Sequence, residues 1–368
     1  MKILITNYHL DGGGGHTTYI LSLLRAVPTD IQVYVACPGR SRLFQLVQER
    51  HPAIVALDVE FPGKLRELAN IIRQFKKFQN FVKKYRFDLI HVNGSPDHRM
   101  VMLSHFFLAA KNRPRVVFTK HNSLTIKNSW LTEFRFHRYC DVVILVCAGL
   151  EILLPDKMRA NKRIVTIENG VDTRVYSPAE FDQKQSMRRK LGLHESTLVF
   201  ASCAGSALHK GWQFLADATS GDPGIAVIVI GKKPDVSTIK RIFPNGLPSQ
   251  VIFTGYQSSV REFLAAADIG FVLSTAIETA SFACREMMSM GLPVLVSNYG
   301  FLSNNVDHNS GWVVESGSSD SIKRLLPQIK MARLDQMGTS ARERAVKLYD
   351  REIFETQTFQ VYKDTVAK

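Results

Sequence analysis

The chain has 368 residues, 45% of them hydrophobic, and a formal net charge of +14. That length suffices for two domains with separate cores, and the composition excludes a disordered or low-complexity chain. The five cysteines (Cys37, Cys140, Cys147, Cys203 and Cys284) are scattered, with no C-x-x-C or metal-ligand spacing, which excludes a disulfide framework and indicates buried thiols in a reducing compartment.

Met1–Tyr8 reads as a strand, not a signal peptide, with Lys2–Thr6 (KILIT) at its centre. Asp11 and the run Gly12–Gly15 follow, and then Tyr19, Ile20, Leu23, Leu24 and Val27 recur at helical spacing. Strand, glycine turn and helix make a loop that lets a phosphate or sugar approach the backbone, or else a flexible turn. The run has neither G-x-G-x-x-G phasing nor a Walker lysine. Ile31–Ala36 predicts a strand and Ser41–Glu49 a helix. Lys64–Tyr85 predicts a long amphipathic helix, its buried stripe formed by Leu65, Leu68, Ile72, Phe75, Val82 and Tyr85. Arg66, Arg73, Lys76, Lys77, Lys83 and Lys84 lie largely elsewhere on it.

Asp88–Val92 and Arg115–Lys120 are strands, and the second delivers His121 and Asn122 at its carboxyl end. Asp141–Cys147 and Arg163–Glu168 are further strands. The longest apolar run, Val142–Leu154, is too short to span a bilayer and contains Glu151. Asn169–Asp172 (NGVD) signals a turn. Charge divides near this point. Residues 1–175 hold 26 Lys+Arg against 14 Asp+Glu, net +12, whereas residues 176–368 hold 21 against 19, net +2. The excess therefore belongs to the first half's partner: an anionic membrane surface, a phosphorylated acceptor or nucleic acid. At about 1 kcal/mol per basic residue near an anionic leaflet, the basic face of the Lys64–Tyr85 helix predicts reversible membrane attachment.

The second half restarts the alternation. Thr197–Cys203 is a strand, leading through Ala204–Gly211 into a helix beginning at Trp212. Gly224–Ile230 and Gln250–Thr254 are strands, and Ser259–Ala266 is a helix. Asp268–Leu273 (DIGFVL) and Pro293–Ser297 (PVLVS) are buried strands, separated by the small-residue turn Thr279–Ser281 and a short helix. Glu278 and Glu286 straddle that helix start, eight residues apart. Ser281 caps the helix and leaves its first N–H groups for an anion. Glu278 then stands at a strand's carboxyl end and Glu286 inside the helix, along the edge where open α/β sheets bind ligands. A sugar nucleotide suits such a site, because N–H groups match its phosphates and each carboxylate accepts from a pair of hydroxyls. A turn around Gly300, a helix from Ser321 and a long helical tail over Ser340–Val366 complete the chain.

Together these stretches resemble retaining glycosyltransferase family 4. Glu278 to Glu286 resembles its E-x7-E motif, with Gly291, Pro293 and Val294 matching the G-x-P-V that follows and with Thr279 and Ser281 replacing two customary glycines. Thr119, His121 and Asn122 resemble its T-x-H-D element, and Gly12–Gly15 its glycine loop. Asn169–Asp172 with Tyr176–Pro178 resembles its interdomain hinge, and Lys210 with Gly211 its K-G pair. The family usually has an Arg shortly before that lysine; here the stretch is Ala204–Ser206. The resemblance implies an α/β GT-B fold, with two Rossmann-like domains whose parallel sheets face across a cleft. The acceptor domain is expected over 1–175, the nucleotide-sugar domain over 176–350, and a last helix at 351–368 crossing back to the first. The implied donor-binding residues are Gly13, Gly14, Gly15, Lys210, Glu278, Thr279, Ala280, Ser281, Phe282 and Glu286. The implied catalytic residues are His121, Lys210 and Glu278. In that scheme Glu286 holds the ribose hydroxyls, Glu278 the donor sugar, and Lys210 the leaving diphosphate.

The implied activity is retaining transfer of a sugar from a UDP- or GDP-linked donor to an acceptor hydroxyl. The sequence has no metal cluster, so metal independence is expected, with no cofactor besides the donor. The basic first half points to a lipid-linked or lipopolysaccharide-type acceptor in a bacterial envelope pathway, with the enzyme in the cytoplasm or peripheral on the inner membrane. No aromatic-basic motif points to nucleic acid. The alternatives are a nucleotide-sugar epimerase of the same architecture and a non-catalytic nucleotide-sugar binder, the latter motivated by the missing Arg and the replaced glycines.

Overall fold

The computed structural model of the chain describes residues 1–10, 14–63, 67–276 and 278–367 and, of Asn161, the backbone alone. It divides the chain into two compact units: Met1–Gly170 with Glu352–Lys368, and Val171–Arg351. Val171 N–H donates to the Tyr349 carbonyl and Arg351 N–H to the Val171 carbonyl, while the Thr173 hydroxyl bonds Asp350. These bonds attach residues 171–175, which the sequence assigned to the first domain, to the second unit.

In unit 1 the strands are β1 (Lys2–Thr6), β2 (Gln32–Cys37), β3 (Val55–Asp58), β4 (Leu89–Val92), β5 (Arg115–Lys120), β6 (Val142–Leu145) and β7 (Arg163–Thr166). They form one sheet in the order β3-β2-β1-β4-β5-β6-β7. In unit 2 they are β8 (Leu198–Ser202), β9 (Ile225–Val229), β10 (Val251–Phe253), β11 (Ile269–Val272), β12 (Val294–Ser297) and β13 (Gly311–Val314), in the order β10-β9-β8-β11-β12-β13. Every named pairing is parallel. Parallel neighbours need crossovers, and the crossovers cover both sheet faces, so these strands are near-continuous apolar runs. In β8, for example, Val199 and Ala201 join one buried cluster, with Met287, Val294 and Ala341, while Phe200 joins the other, with Trp212, Phe271 and Leu295.

Strand order reverses between β1 and β4 in unit 1 and between β8 and β11 in unit 2. At such a switch point the flanking crossovers leave to opposite sides, which opens a crevice at the carboxyl ends of the strands.

Three elements depart from expectation. The helix Leu68–Tyr85 buries Gln74, Phe78, Gln79 and Val82, whereas Leu68 and Ile72 of the expected stripe are exposed; Leu65 and Arg66 lie outside the described residues. Polar bonding rotates the face, because Gln74 Oε1 accepts from Glu60 N–H and Gln79 Oε1 from the Ser104 hydroxyl. The expected single tail is two helices, Leu334–Tyr349 and Arg351–Val366, broken where Asp350 turns extended to pair with Val171. The second packs in unit 1, with Phe354 against Tyr19 at 4.9 Å and the Tyr362 hydroxyl 2.6 Å from His91 Nδ1. Two of the four edge strands, β3 (VALD) and β13 (GWVV), are only four residues long, and the sequence reading does not mark them.

Candidate functional site

In unit 2, β11 ends at the switch point and the chain enters a loop whose Ile277 lies outside the described residues. Glu278 follows. Its Oε2 accepts from Lys210 Nζ at 2.9 Å and from the Ser274 hydroxyl at 2.9 Å. The two expected site charges thus meet as an ion pair, with side-chain exposures of 23% for Lys210 and 11% for Glu278. At that burial the pair is screened less than a surface pair, and its members keep fixed positions.

Gly211 brings Lys210 there. It takes a left-handed φ of 77°, and a Cβ on it would stand 1.8 Å from the Leu273 carbonyl oxygen. Only glycine lets this loop cross the end of β11 so closely. Thr275 N–H closes the contact by donating to the His209 carbonyl at 2.8 Å.

Thr279, Ala280 and Ser281 are buried and Phe282 is half-buried. Ser281 caps the helix Phe282–Ser289, its hydroxyl accepting from Cys284 N–H. The other first-turn N–H groups have no acceptor within the helix, so the start is electropositive. Gly270 in β11 lets this helix pack closely, since a Cβ there would meet Met287 at 2.9 Å. Glu286 lies in the second turn. Cys203 Sγ approaches its Oε2 to 3.5 Å, and Tyr176 also hydrogen-bonds the carboxylate. Burial pushes the Glu286 carboxyl up, opposed by those two hydrogen bonds. The Cys203 thiol is pushed well up by its own burial and then by Glu286. Arg342 donates to the carbonyls of Thr173, Tyr176 and Ser289, tying the Tyr176 segment to this helix.

The stretch without the expected Arg is closed by side-chain bonds to backbone carbonyls. The Ser206 hydroxyl donates to the Lys232 carbonyl at 2.6 Å, and Trp212 Nε1 donates to the Ser206 carbonyl at 2.9 Å. Tyr176, Cys203, Ser274 and Arg342 escaped sequence reasoning as site residues, because nothing in their local text marks them.

In unit 1, β5 delivers His121 beside the β1/β4 switch point. Asn93 Nδ2 donates to the Thr6 carbonyl, so its Oδ1 faces His121 Nε2 at 2.7 Å. The network assigns the imidazole proton to Nε2. His121 is held well below the usual histidine range by burial and then by His16, His91, His9 and Lys120, so it is neutral near pH 7. Its ring lies 4.1 Å from His16 and 4.7 Å, edge-on, from Tyr19. Gly14 and Gly15 form the first turn of the helix Gly14–Arg25, which carries His16; Gly12 and Gly13 lie outside the described residues. His91 bonds Tyr362 and Thr119, and His98 bonds the Tyr139 carbonyl, so both serve packing. Among the described residues, no three or more His, Cys, Asp or Glu are grouped to hold a metal ion, and no helix is long and apolar enough to cross a membrane.

Comparison with known proteins bears on both units. Residues 13–175 match the profile described as Glycosyltransferase Family 4, and residues 183–344 match Glycosyl transferases group 1. The N-acetyl-alpha-D-glucosaminyl L-malate synthase of Bacillus anthracis is 24% identical over 307 residues, covering 79% of this chain and 78% of that protein. The UDP-Gal:alpha-D-GlcNAc-diphosphoundecaprenol alpha-1,3-galactosyltransferase of Escherichia coli is 23% identical over 287 residues, covering 72% and 71%. The structure of Anabaena HepE in complex with UDP is similar at a TM-score of 0.81 and 19% identity, covering 99% of this chain and 100% of that one. Since the two profiles span all but the ends and a short central segment, the chain belongs to glycosyltransferase family 4 and has the GT-B fold.

Proposed function

We propose that this chain is a retaining glycosyltransferase that moves a sugar from a nucleoside diphosphate, UDP or GDP, to a hydroxyl of a lipid-linked or lipopolysaccharide-type glycan. The observation that carries this is the Lys210–Glu278 ion pair just before the capped helix Phe282–Ser289, which carries Glu286 in its second turn, at the β8/β11 switch point. The UDP in the Anabaena structure and the diphosphoundecaprenol acceptor of the Escherichia coli relative support the donor and acceptor classes.

In this proposal the Glu286 carboxylate accepts from the ribose hydroxyls, and the N–H groups of Thr279–Phe282 receive donor phosphate or sugar oxygens. The diphosphate competes with Glu278 for the Lys210 ammonium, and the released Glu278 carboxylate accepts from the donor sugar near its 3-hydroxyl. The acceptor oxygen bonds to the anomeric carbon on the face from which the diphosphate leaves. The C–O bond electrons go to the diphosphate, and the acceptor proton passes to a donor phosphate oxygen. Charge building on the leaving group is the main barrier, and fixed positive groups lower it. By family resemblance, His121 and the Gly13–Gly15 loop are the residues of unit 1 assigned to the sugar.

We place the protein in the cytoplasm, with peripheral contact to an anionic membrane through the helix Leu68–Tyr85. Leu68 and Ile72 are exposed there beside Arg73 and Lys76, and co-sedimentation that ignores anionic lipid content removes this part. The central test is a calorimetric panel of nucleotides and sugar nucleotides, followed by transfer assays with and without EDTA. The proposal expects binding of a nucleoside diphosphate sugar and transfer that survives the chelator. Conversion of a sugar nucleotide without any acceptor would instead identify an epimerase.

A further inference from the structure

The crevice beside His121 continues into a cavity of about 360 Å³ within unit 1, whose wall includes Asn93, Arg99, Lys120, Lys127 and Arg135. The cations in this wall are unequally partnered. Lys120 is fully engaged: its ammonium donates to the Asn122 carbonyl, to Asn122 Oδ1 at 2.7 Å and to the Leu124 carbonyl at 2.6 Å. It holds the loop after β5 and has no donor to spare.

Arg135 is different. It is only 7% exposed, yet its single hydrogen bond is a long one, 3.4 Å from Nη1 to the Ser95 carbonyl, and its Nε has no acceptor. Arg99 stands in the same wall with no hydrogen bond or ion pair among the described residues. The acid that acts on both is Asp97. It lies beyond ion-pair distance and is engaged elsewhere, accepting from the Thr6 hydroxyl at 2.6 Å and from Asn93 N–H at 2.8 Å. Burial, and then repulsion from Arg99, pushes Arg135 down to about 10. A desolvated guanidinium with donors unmet is unfavourable by itself, and an oxyanion relieves it, because the planar fork matches carboxylate and phosphate oxygens.

We propose that Arg99 and Arg135 form an oxyanion subsite for the acceptor, receiving a phosphate or carboxylate group while the hydroxyl to be glycosylated faces His121. Naming the bound molecule an acceptor rests on the glycosyltransferase reading above; the anion subsite itself does not.

The test is calorimetry on the full chain with UDP in excess, so that phosphate entering at Lys210 does not obscure the result. The titrants are inorganic phosphate, glycerol 1-phosphate, succinate and glycerol. At least one anion class should bind and neutral glycerol should not. Arg99→Gln and Arg135→Gln should each weaken anion binding roughly ten-fold or more, the size expected for losing a charge-assisted hydrogen bond, with Arg135→Lys intermediate. Anion affinity unchanged in both glutamine variants overturns the subsite. If Arg135→Gln does not fold, the half-buried Arg99 decides through its own variant. Vesicles of phosphatidic acid against phosphatidylcholine separate the sources. Arg99-dependent capture by the acidic vesicles without binding of the soluble anions assigns a lipid headgroup, whereas soluble binding alone assigns a free acidic acceptor. If the wild type fails to bind UDP or any other nucleotide while binding anions through these arginines, the glycosyltransferase reading falls and the subsite stands. UDP binding with arginine-independent anion binding does the reverse.

Discussion

The same topology produces two chemically opposite switch points. At β8/β11 Lys210 and Glu278 form an ion pair, and Glu286, its carboxyl pushed up by burial, is hydrogen-bonded by Tyr176 and Cys203. At β1/β4 the central groups are imidazole rings, with protonation of His16 and His121 depressed by burial: His9 lies 4.4 Å from His16, and His16 lies 4.1 Å from His121. Unit 1 holds eight of the eleven histidines although it carries most of the net positive charge. The formal charge counts histidine as neutral and belongs to lysines and arginines, and burial depresses protonation of His16, His91, His98, His105 and His121. A site built of ion pairs can exchange one partner for another. A site built of depressed imidazoles holds shape and hydrogen-bonding direction without adding charge near a cationic wall.

The largest effect expected from this contrast is acid sensitivity confined to unit 1. His16, His91 and His98 are each pushed down to about 3 by burial. The unfolded chain therefore takes up protons first, below about pH 6.5. Stability from these residues is fully present above that value and is lost as pH falls, at about 1.4 kcal/mol per histidine per pH unit. Asp97, pushed up to about 6, works oppositely: its stabilising effect is full below about pH 4 and disappears as pH rises between there and 6. The histidines outnumber it. Hydrogen exchange between pH 7 and 5 should show β1, β4 and β5 losing protection before β8 and β11, and the reverse order breaks the comparison.

Next in size is Lys210→Ala, which removes the charge facing the leaving diphosphate. A fall in kcat of roughly 10²–10³ is expected, of the order seen when one transition-state donor is lost. An effect confined to KM would show that Lys210 only binds. Gly211→Ala tests how Lys210 is positioned. The new Cβ would collide with the Leu273 carbonyl in a left-handed conformation, so a loss of about 2–3 kcal/mol is expected in denaturant unfolding of unit 2. The smallest effect is that of Glu286→Ala, roughly ten-fold in donor KM with kcat little changed, equivalent to about 1.4 kcal/mol of uniform binding.

Much of this was legible in the text of the chain. The apolar runs mark eleven of the thirteen strands among the described residues, and the turn and cap residues mark the helix start at Ser281. The missed strands, β3 (VALD) and β13 (GWVV), are four-residue sheet edges on which Val55 and Val313 are exposed, so neither offers a run long enough to stand out; the other two edges, β7 and β10, are marked, so edge position alone does not hide a strand. On the helix Leu68–Tyr85 the expected stripe holds at Val82, and in part at Phe75 and Tyr85, but fails at Leu68 and Ile72, because Gln74 and Gln79 are satisfied by partners outside the helix, which no periodicity count detects.

By itself the sequence determined that two α/β units exist, where the acid pair falls and that a Lys-Gly step precedes the helix at Trp212, because hydrophobic periodicity and turn chemistry are local properties. Only the tertiary structure decided that Lys210 pairs with Glu278, that Tyr176 and Cys203 engage Glu286, and that Arg99 and Arg135 share a cavity wall with no carboxylate partner among the described residues. Those relations join side chains up to 110 residues apart. They depend on strand order and burial, which set distance and dielectric together and leave no trace in neighbouring residues.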